Sequence, residues 1–321
     1  MLLNSILKQF FTAFFILFCT FSAYSQAEFT EIDALARSFQ KSKYDSPEAL
    51  AKAMCQNLKT DRDKARAIFA WIADNVRYDF KSMDFVPPKG MSRAELEATR
   101  IERTYKKGKG VCEDYSVLYK HMAGAVGLEC VLVSGNSRSL MRSTLGDHAW
   151  NAVKIDGKWQ LLDATWGAGY VEGGDDFNQV FQPGYFFTDP RIFSINHFPK
   201  EEKWQLLDKP LTKEEFKSRP VFSYGIPELG VLDMQPFGSA LTRAADGKVE
   251  VRLRFLQVPE VIRLKMGTRE ILLFDRSEPD QDGWVTLRFH AGSGRELQVW
   301  GGEQTKNGVH TRLLGVFPVK P

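Results

Sequence analysis

The sequence predicts an α+β fold: helices packed on an antiparallel sheet, followed by a small all-β sandwich. Three observations carry this. Apolar residues recur at spacings of three and four through Asp61–Val76. A two-residue Asp156-Gly157 turn joins two strand-like runs. From Lys248 onward only short alternating runs remain, separated by Gly, Pro, Asp and Asn. The chain's 321 residues suit two domains better than one. Its 43% hydrophobic and 26% charged residues are those of an ordinary globular protein. The formal charge of +3 is small, and Lys and Arg are dispersed, so nothing calls for nucleic acid.

The first 25 residues read as a leader. Lys8 is their only charge, and an apolar run, Phe10 to Ala23, follows it. Ala23-Tyr24-Ser25 places small residues where a signal peptidase reads them, with cleavage before Gln26. The run is short for a span of about 20 residues, so no stable membrane span is expected after cleavage, although a retained anchor is the alternative. Phe18 is too bulky for Cys19 to be a lipoprotein cysteine. The expected product is exported, periplasmic or secreted. Cleavage leaves Cys55, Cys112 and Cys130, an odd count in an oxidising compartment. Either Cys55 and Cys130 pair and leave Cys112 over, or all three are free.

Helices are expected over Ile32–Gln40, Ser46–Leu58, Asp61–Val76, Arg93–Thr104 and Val111–Val126. Ser46 is a good cap with Pro47 in the first turn, and acidic residues lead Asp61–Val76 as the helix dipole favours. Strands are expected at Glu129–Ser134, His148–Ile155 and Trp159–Trp166. Prolines thicken between Lys209 and Pro236. The expected division is therefore a leader (1–25), a helix-and-sheet domain (26–218) and an immunoglobulin-like β-sandwich (219–321).

The stretch GKGVCEDYSVLYKHMA, Gly108 to Ala123, raises the question of chemistry. Gly108 and Gly110 permit a tight turn and a close approach. Cys112 falls in the first turn of the next helix, where free N–H groups and the dipole favour a thiolate and can hold an oxyanion. A nucleophile, a disulfide half and a small buried side chain all remain open at this point. His148 opens a strand that alternates His148, Trp150 and Ala152 on one face. With Asp156-Gly157 as the loop, Ile155 pairs with Lys158 and Trp150 with Asp163, which puts Asp163 diagonal to His148. A carboxylate there can orient the ring and stabilise its cation. Cys, His and Asp on three successive elements follow the logic of cysteine acyl transfer.

GKGVCEDYSVLYKHMAGAVGLECVLVSG with GDHAWNAVKIDGKWQLLDATW resembles the transglutaminase-like superfamily: G-x-C, H-x-W-N and D-x-T-W all hold. Gly184 to Leu207 is similar to an extension in its kyphoscoliosis-peptidase-like members. The resemblance implies a papain-like core, with Cys112 as nucleophile, His148 as general acid/base and Asp163 as orienter. It implies a cysteine hydrolase acting on a protein or peptide substrate through a thioester, with no cofactor and no metal. The family also holds transamidases and members without activity, so a cross-linking enzyme and a binding or scaffold protein are the alternatives. Trp150 and Trp166 are candidates for the wall of a substrate cleft, although packing in a core is the commoner use of tryptophan. His121 is read as a surface residue and His197 as structural. The short acidic run at Glu172–Asp176 does not make a calcium loop. No HExxH, CxxC or phosphate-cradling glycine loop is present.

Overall fold

A computed structural model describes residues 29–140, 142–171, 176–222, 231–255, 257–271, 273–306 and 308–321. The apolar run at Phe10–Ala23 and the acidic residues 172–175 lie outside the described residues. Among the described residues no helix is long and apolar enough to cross a membrane.

Three helices lead: α1 (Thr30–Ser38), α2 (Pro47–Cys55) and α3 (Asp61–Asn75). Ser46 Oγ accepts from the Ala49 N–H, and Thr60 Oγ1 from that of Asp63, so both α2 and α3 start on a side-chain cap. Helix α3 is buried nearly all round, from Ala65 to Ala73. It needs neighbours on every side and becomes the centre of the first core. Arg66 is buried within it because Asp33 accepts from Nε and Nη2 at 2.7 and 2.8 Å.

β1 (Arg77–Tyr78) pairs in parallel with β2 (Lys109–Gly110), across α4 (Arg93–Lys107). Helix α5 (Cys112–Ala125) follows and packs on an antiparallel sheet. That sheet holds β3 (Cys130–Ser139), β4 (Arg142–Ile155), β5 (Lys158–Leu162) and, after α6 (Ala164–Ala168), β6 (Gly169–Val171), β7 (Phe177–Gln179) and α7 (Pro190–Phe193), the edge strand β8 (His197–Pro199). Its order is β5-β4-β3-β8. The turn residues Asp156 and Gly157 have φ of 49° and 76°, as a two-residue hairpin requires. Ile155 pairs with Lys158 and Asn151 with Leu162, the expected register.

One expectation is corrected here. The strand expected to reach Trp166 stops at Leu162, and residues 164–168 form a helix. Asp163 is that helix's cap: its Oδ1 accepts the N–H groups of Thr165 and Trp166 at 2.8 and 3.0 Å. An aspartate followed by two free N–H groups gains more from capping than from continuing the ladder. It is therefore not a ladder partner of Trp150.

After α8 (Lys213–Ser218) and β9 (Val221–Phe222) come β10 (Val231–Gln235), β11 (Leu241–Thr242), β12 (Lys248–Phe255), β13 (Val261–Met266), β14 (Arg269–Ile271), β15 (Leu273–Arg276), β16 (Trp284–His290), β17 (Glu296–Thr305) and β18 (Gly308–Lys320). Two sheets form, one ordered β10-β12-β16-β15 and one β11-β18-β17-β13-β14, with β9 also on β18. Alternate residues of both, such as Val251, Leu287, Leu297 and Phe317, share one core. β14 and β15, close neighbours in the chain, go to different sheets: β14 pairs with β13, and β15 with β16. Ile192 and Ile195, just before β8, pack into this second core.

Candidate active site

The site is assembled at the N-terminus of α5. Helix α4 ends on Gly108, left-handed at φ 63°, a conformation that favours glycine. Gly110 has a different reason. A Cβ there would lie 2.5 Å from Asp114 Cβ, so only glycine lets the chain pass the first turn of α5. Asp114 is fully buried. Its Oδ2 accepts the Val111 N–H at 2.9 Å, and its carboxylate accepts from Arg100 Nη1 at 2.7 Å and Arg103 Nη2 at 3.1 Å. Two cations and a helix end are thus tied to one carboxylate, which locks α4 against the turn that presents Cys112. The Tyr115 hydroxyl donates to the Val76 carbonyl at 2.5 Å, fixing the same turn to the end of α3.

The sheet is fixed to α5 by Asn151. Its buried Nδ2 donates to the Ser116 carbonyl at 3.0 Å and the Val131 carbonyl at 3.2 Å. One amide therefore spans helix, β4 and β3, three residues from His148. The N of the H-x-W-N pattern is in this way a strut between the cysteine helix and the histidine strand.

His148 Nε2 donates to Asp163 Oδ2 at 2.6 Å, with both groups buried. The other ring nitrogen is left for Cys112, which is near enough to help hold a proton on His148. Burial alone pulls the His148 imidazole down. The Asp163 charge and hydrogen bond, reinforced by Cys112, overcome that and raise it to about 10. Burial works against the Asp163 charge, but hydrogen bonds and charge from His148 and then His197 hold the carboxyl well below the usual range. The structure therefore joins His148 to Asp163 by a hydrogen bond and places Cys112 at the start of α5, near His148. The link to Asp163 runs through a helix cap rather than a cross-strand pair.

His197 was missed as part of this group. Its Nε2 donates to the same oxygen, Asp163 Oδ2, at 2.9 Å. Nothing in the local sequence INHFP carries that signal. It arises because β8 pairs with β3, Ser137 opposite His197, while β4 pairs with β3 on the other side, Gly135 opposite His148. Gly135 has no room for a Cβ, which would meet the Trp150 ring and the Phe198 carbonyl.

Aromatic rings enclose the histidines. Trp150 is only 1% exposed and packs edge-on to His197, with centroids 5.1 Å apart. It forms the floor beneath the site, in a small core with Val133, Leu161 and Phe193. The expectation that it walls a substrate cleft is thereby corrected, because burial leaves it no surface to offer. Trp166 is partly exposed and lies 5.6 Å from His148 and 4.7 Å from His197, centroid to centroid.

His148, Asp163 and His197 bring three donor atoms within 4.8 Å of one another, a set that could be considered for a metal ion. Zinc bonds of about 2.0–2.1 Å to nitrogen and oxygen set ligand atoms about 3.3 Å apart. The 2.6 and 2.9 Å contacts here are those of N–H groups donating to a carboxylate instead.

Cys55, Cys112 and Cys130 are all free thiols. Burial pushes both Cys55 and Cys130 up to about 12, which leaves them protonated. His121 is part-exposed and pairs with Glu48 on α2, away from the site.

The family model described as "Transglutaminase-like superfamily" matches residues 48–164. The kyphoscoliosis peptidase of Mus musculus is 30% identical over 258 residues, 78% of this chain and 36% of that protein. The kyphoscoliosis peptidase of Homo sapiens is 31% identical over 211 residues, 64% of this chain and 31% of that protein. Hillarin of Drosophila melanogaster is 28% identical over 232 residues, 62% of this chain and 26% of that protein. The chain thus spans about a third of the length of the curated relatives it matches.

Proposed function

Since the chain belongs to the transglutaminase-like superfamily, in its kyphoscoliosis-peptidase-like branch, we propose that it is a cysteine hydrolase that cleaves a peptide or amide bond. The observation that carries this reading is the buried His148–Asp163 hydrogen bond beside Cys112 at the start of α5. The name peptidase on the mouse and human relatives supports the same direction.

In this reading Cys112 transfers its proton to His148, and Asp163 stabilises the resulting imidazolium. The thiolate sulfur bonds to the substrate carbonyl carbon. The Cys112 N–H, at the start of α5, faces the developing oxyanion. The C–N bond then breaks as His148 returns its proton to the leaving amine, leaving a thioester. Water, deprotonated by His148, attacks the thioester and restores the thiol. A primary amine in place of water gives transamidation, with every other step unchanged. The substrate is a protein or peptide, met first at Trp166. The leader read over residues 1–25 supports export, and the division near residue 218 supports a separate β domain that positions the enzyme or its substrate.

The test is to incubate the protein with an unfolded protein substrate, with and without a fluorescent primary amine. New N-termini report hydrolysis, and amine incorporation reports transamidation. The expected result is new N-termini that depend on Cys112 and vanish in Cys112→Ala. If neither product forms above the level of Cys112→Ala, the catalytic reading fails and a binding or scaffold role replaces it.

A further inference from the structure

Two imidazoles on one carboxylate oxygen exceed what a Cys–His–Asp mechanism needs. His148 alone uses Asp163 in the steps above. Yet His197 is 2% exposed and held on every side. It stacks on Phe193 with centroids 3.8 Å apart and interplanar angle 17°, and lies edge-on to Trp150. Arg138 Nε donates to the Ile195 carbonyl at 3.0 Å, and Asn196 Nδ2 to the Arg138 carbonyl at 3.0 Å, so the two residues before His197 are clamped to β3. His197 also lies outside residues 48–164, the span of the family model. The extension after the core returns a side chain to the catalytic carboxylate.

The protonation state follows from geometry. Asp163 Oδ2 accepts at 2.6 and 2.9 Å, so both Nε2 atoms carry a proton. His197 Nδ1 has no partner in good hydrogen-bond geometry, although the Phe193 backbone lies near enough to favour a proton there. A proton there would bury a poorly paired donor beside a second imidazole 5.4 Å away. The neutral Nε2–H tautomer avoids both. Burial, the largest influence, and the neighbouring His148 charge keep His197 below the ordinary histidine value, against the pull of Asp163. The other titratable groups facing this cluster are Cys112 and Tyr115 from α5, with Tyr78 and Arg77 behind Tyr115, and Tyr185 beside His197.

We propose that His197 is a positioning residue: as a neutral imidazole it donates to the oxygen that holds His148, fixing the direction of that carboxylate and limiting its pull on the His148 proton. The proposal rests on the Cys112–His148 pairing put forward above. Without His197, Asp163 Oδ2 serves His148 alone and holds the imidazolium more strongly. The carboxylate also loses one of the four hydrogen bonds that aim it.

The test uses the full chain and iodoacetamide, with the alkylation rate of Cys112 followed from pH 5 to 11. His197→Phe keeps the ring on Phe193 and removes the donor. His197→Gln restores an N–H at about the depth of Nε2. The expected result is that the upper inflection, His148 losing its proton, moves up by about one pH unit in His197→Phe and returns in His197→Gln. Nitrogen NMR of the unmutated protein is expected to find His197 in the neutral Nε2–H form from pH 5.5 to 9. An activated wild-type thiol with an unshifted His197→Phe profile would overturn the role of His197 alone. So would an imidazolium or Nδ1–H signal from His197, whether or not the variants fold. An ordinary free-thiol profile in the wild type would overturn the underlying pairing, and this proposal with it.

Discussion

Asp163→Asn removes one charge and keeps the shape. Asp163 accepts four hydrogen bonds: two backbone N–H groups on Oδ1 and two imidazole N–H groups on Oδ2. An asparagine has one acceptor oxygen. The two capping N–H groups are fixed by the backbone and take it, which turns the amide NH2 toward two imidazole donors. His148 must then accept at Nε2 and carry its proton on the other nitrogen, the one left for Cys112. A ring in that tautomer cannot take the thiol proton. Breaking a buried ion pair by removing one partner costs about 3–5 kcal/mol. At about 1.4 kcal/mol per tenfold, the thiolate–imidazolium form falls by about 10²–10⁴. The assay is the second-order rate of iodoacetamide with Cys112 at pH 6, wild type against Asp163→Asn, with near-UV circular dichroism to verify folding. A folded variant with an unchanged rate would refute the coupling of Asp163 to the thiol.

Three further outcomes follow from the same geometry. Gly110→Ala puts a Cβ 2.5 Å from that of Asp114, so a loss of about 1–3 kcal/mol is expected, read as a lower urea midpoint and slower Cys112 labelling. Asp114→Ala strands Arg103 and leaves Arg100 to Glu113 alone, beside a fully buried site. At about 3–5 kcal/mol and 2–4 °C per kcal/mol, its melting temperature should drop by about 6–20 °C, and an unchanged value would contradict the lock described for α4. The folded-state value of His148 is raised, to about 10. The stability it contributes is therefore complete below its unfolded value of about 6.5 and is lost as pH rises toward 10. The stability difference between wild type and His148→Gln should narrow from pH 6.5 to 10 in denaturant titrations, and a difference that widens would refute the sign.

Much of the site was legible because its signals are local. The Asp156-Gly157 turn set the register of β4 against β5, and Gly108 and Gly110 marked the turn before Cys112. The helix cap at Asp163 was hidden because D-x-T-W reads equally well as the end of a strand. The short apolar strand and the following turn of helix differ only in where the Thr165 and Trp166 N–H groups find an acceptor. His197 was illegible for a different reason. Its partner lies 34 positions away, and the contact exists only once β8 is placed at the far edge of the sheet. Trp150 was misplaced because alternation gives a face but not its depth. The small core of Val133, Leu161 and Phe193 closes over that face only through α7. The placing of β14 and β15 in different sheets likewise depends on partners rather than on local pattern.

The central claim is that His148 and Asp163 activate Cys112, and neither Cys55 nor Cys130. The most direct measurement is site-resolved alkylation of the native protein across pH, with Cys112→Ala as control. Cys55 and Cys130 are held protonated by burial, so among the three described thiols the account predicts labelling at Cys112 alone, reacting at pH 6 faster than a free thiol with its value near 8.5. A Cys112 rate that merely follows free-thiol titration, or equal labelling of Cys55 or Cys130, would contradict it.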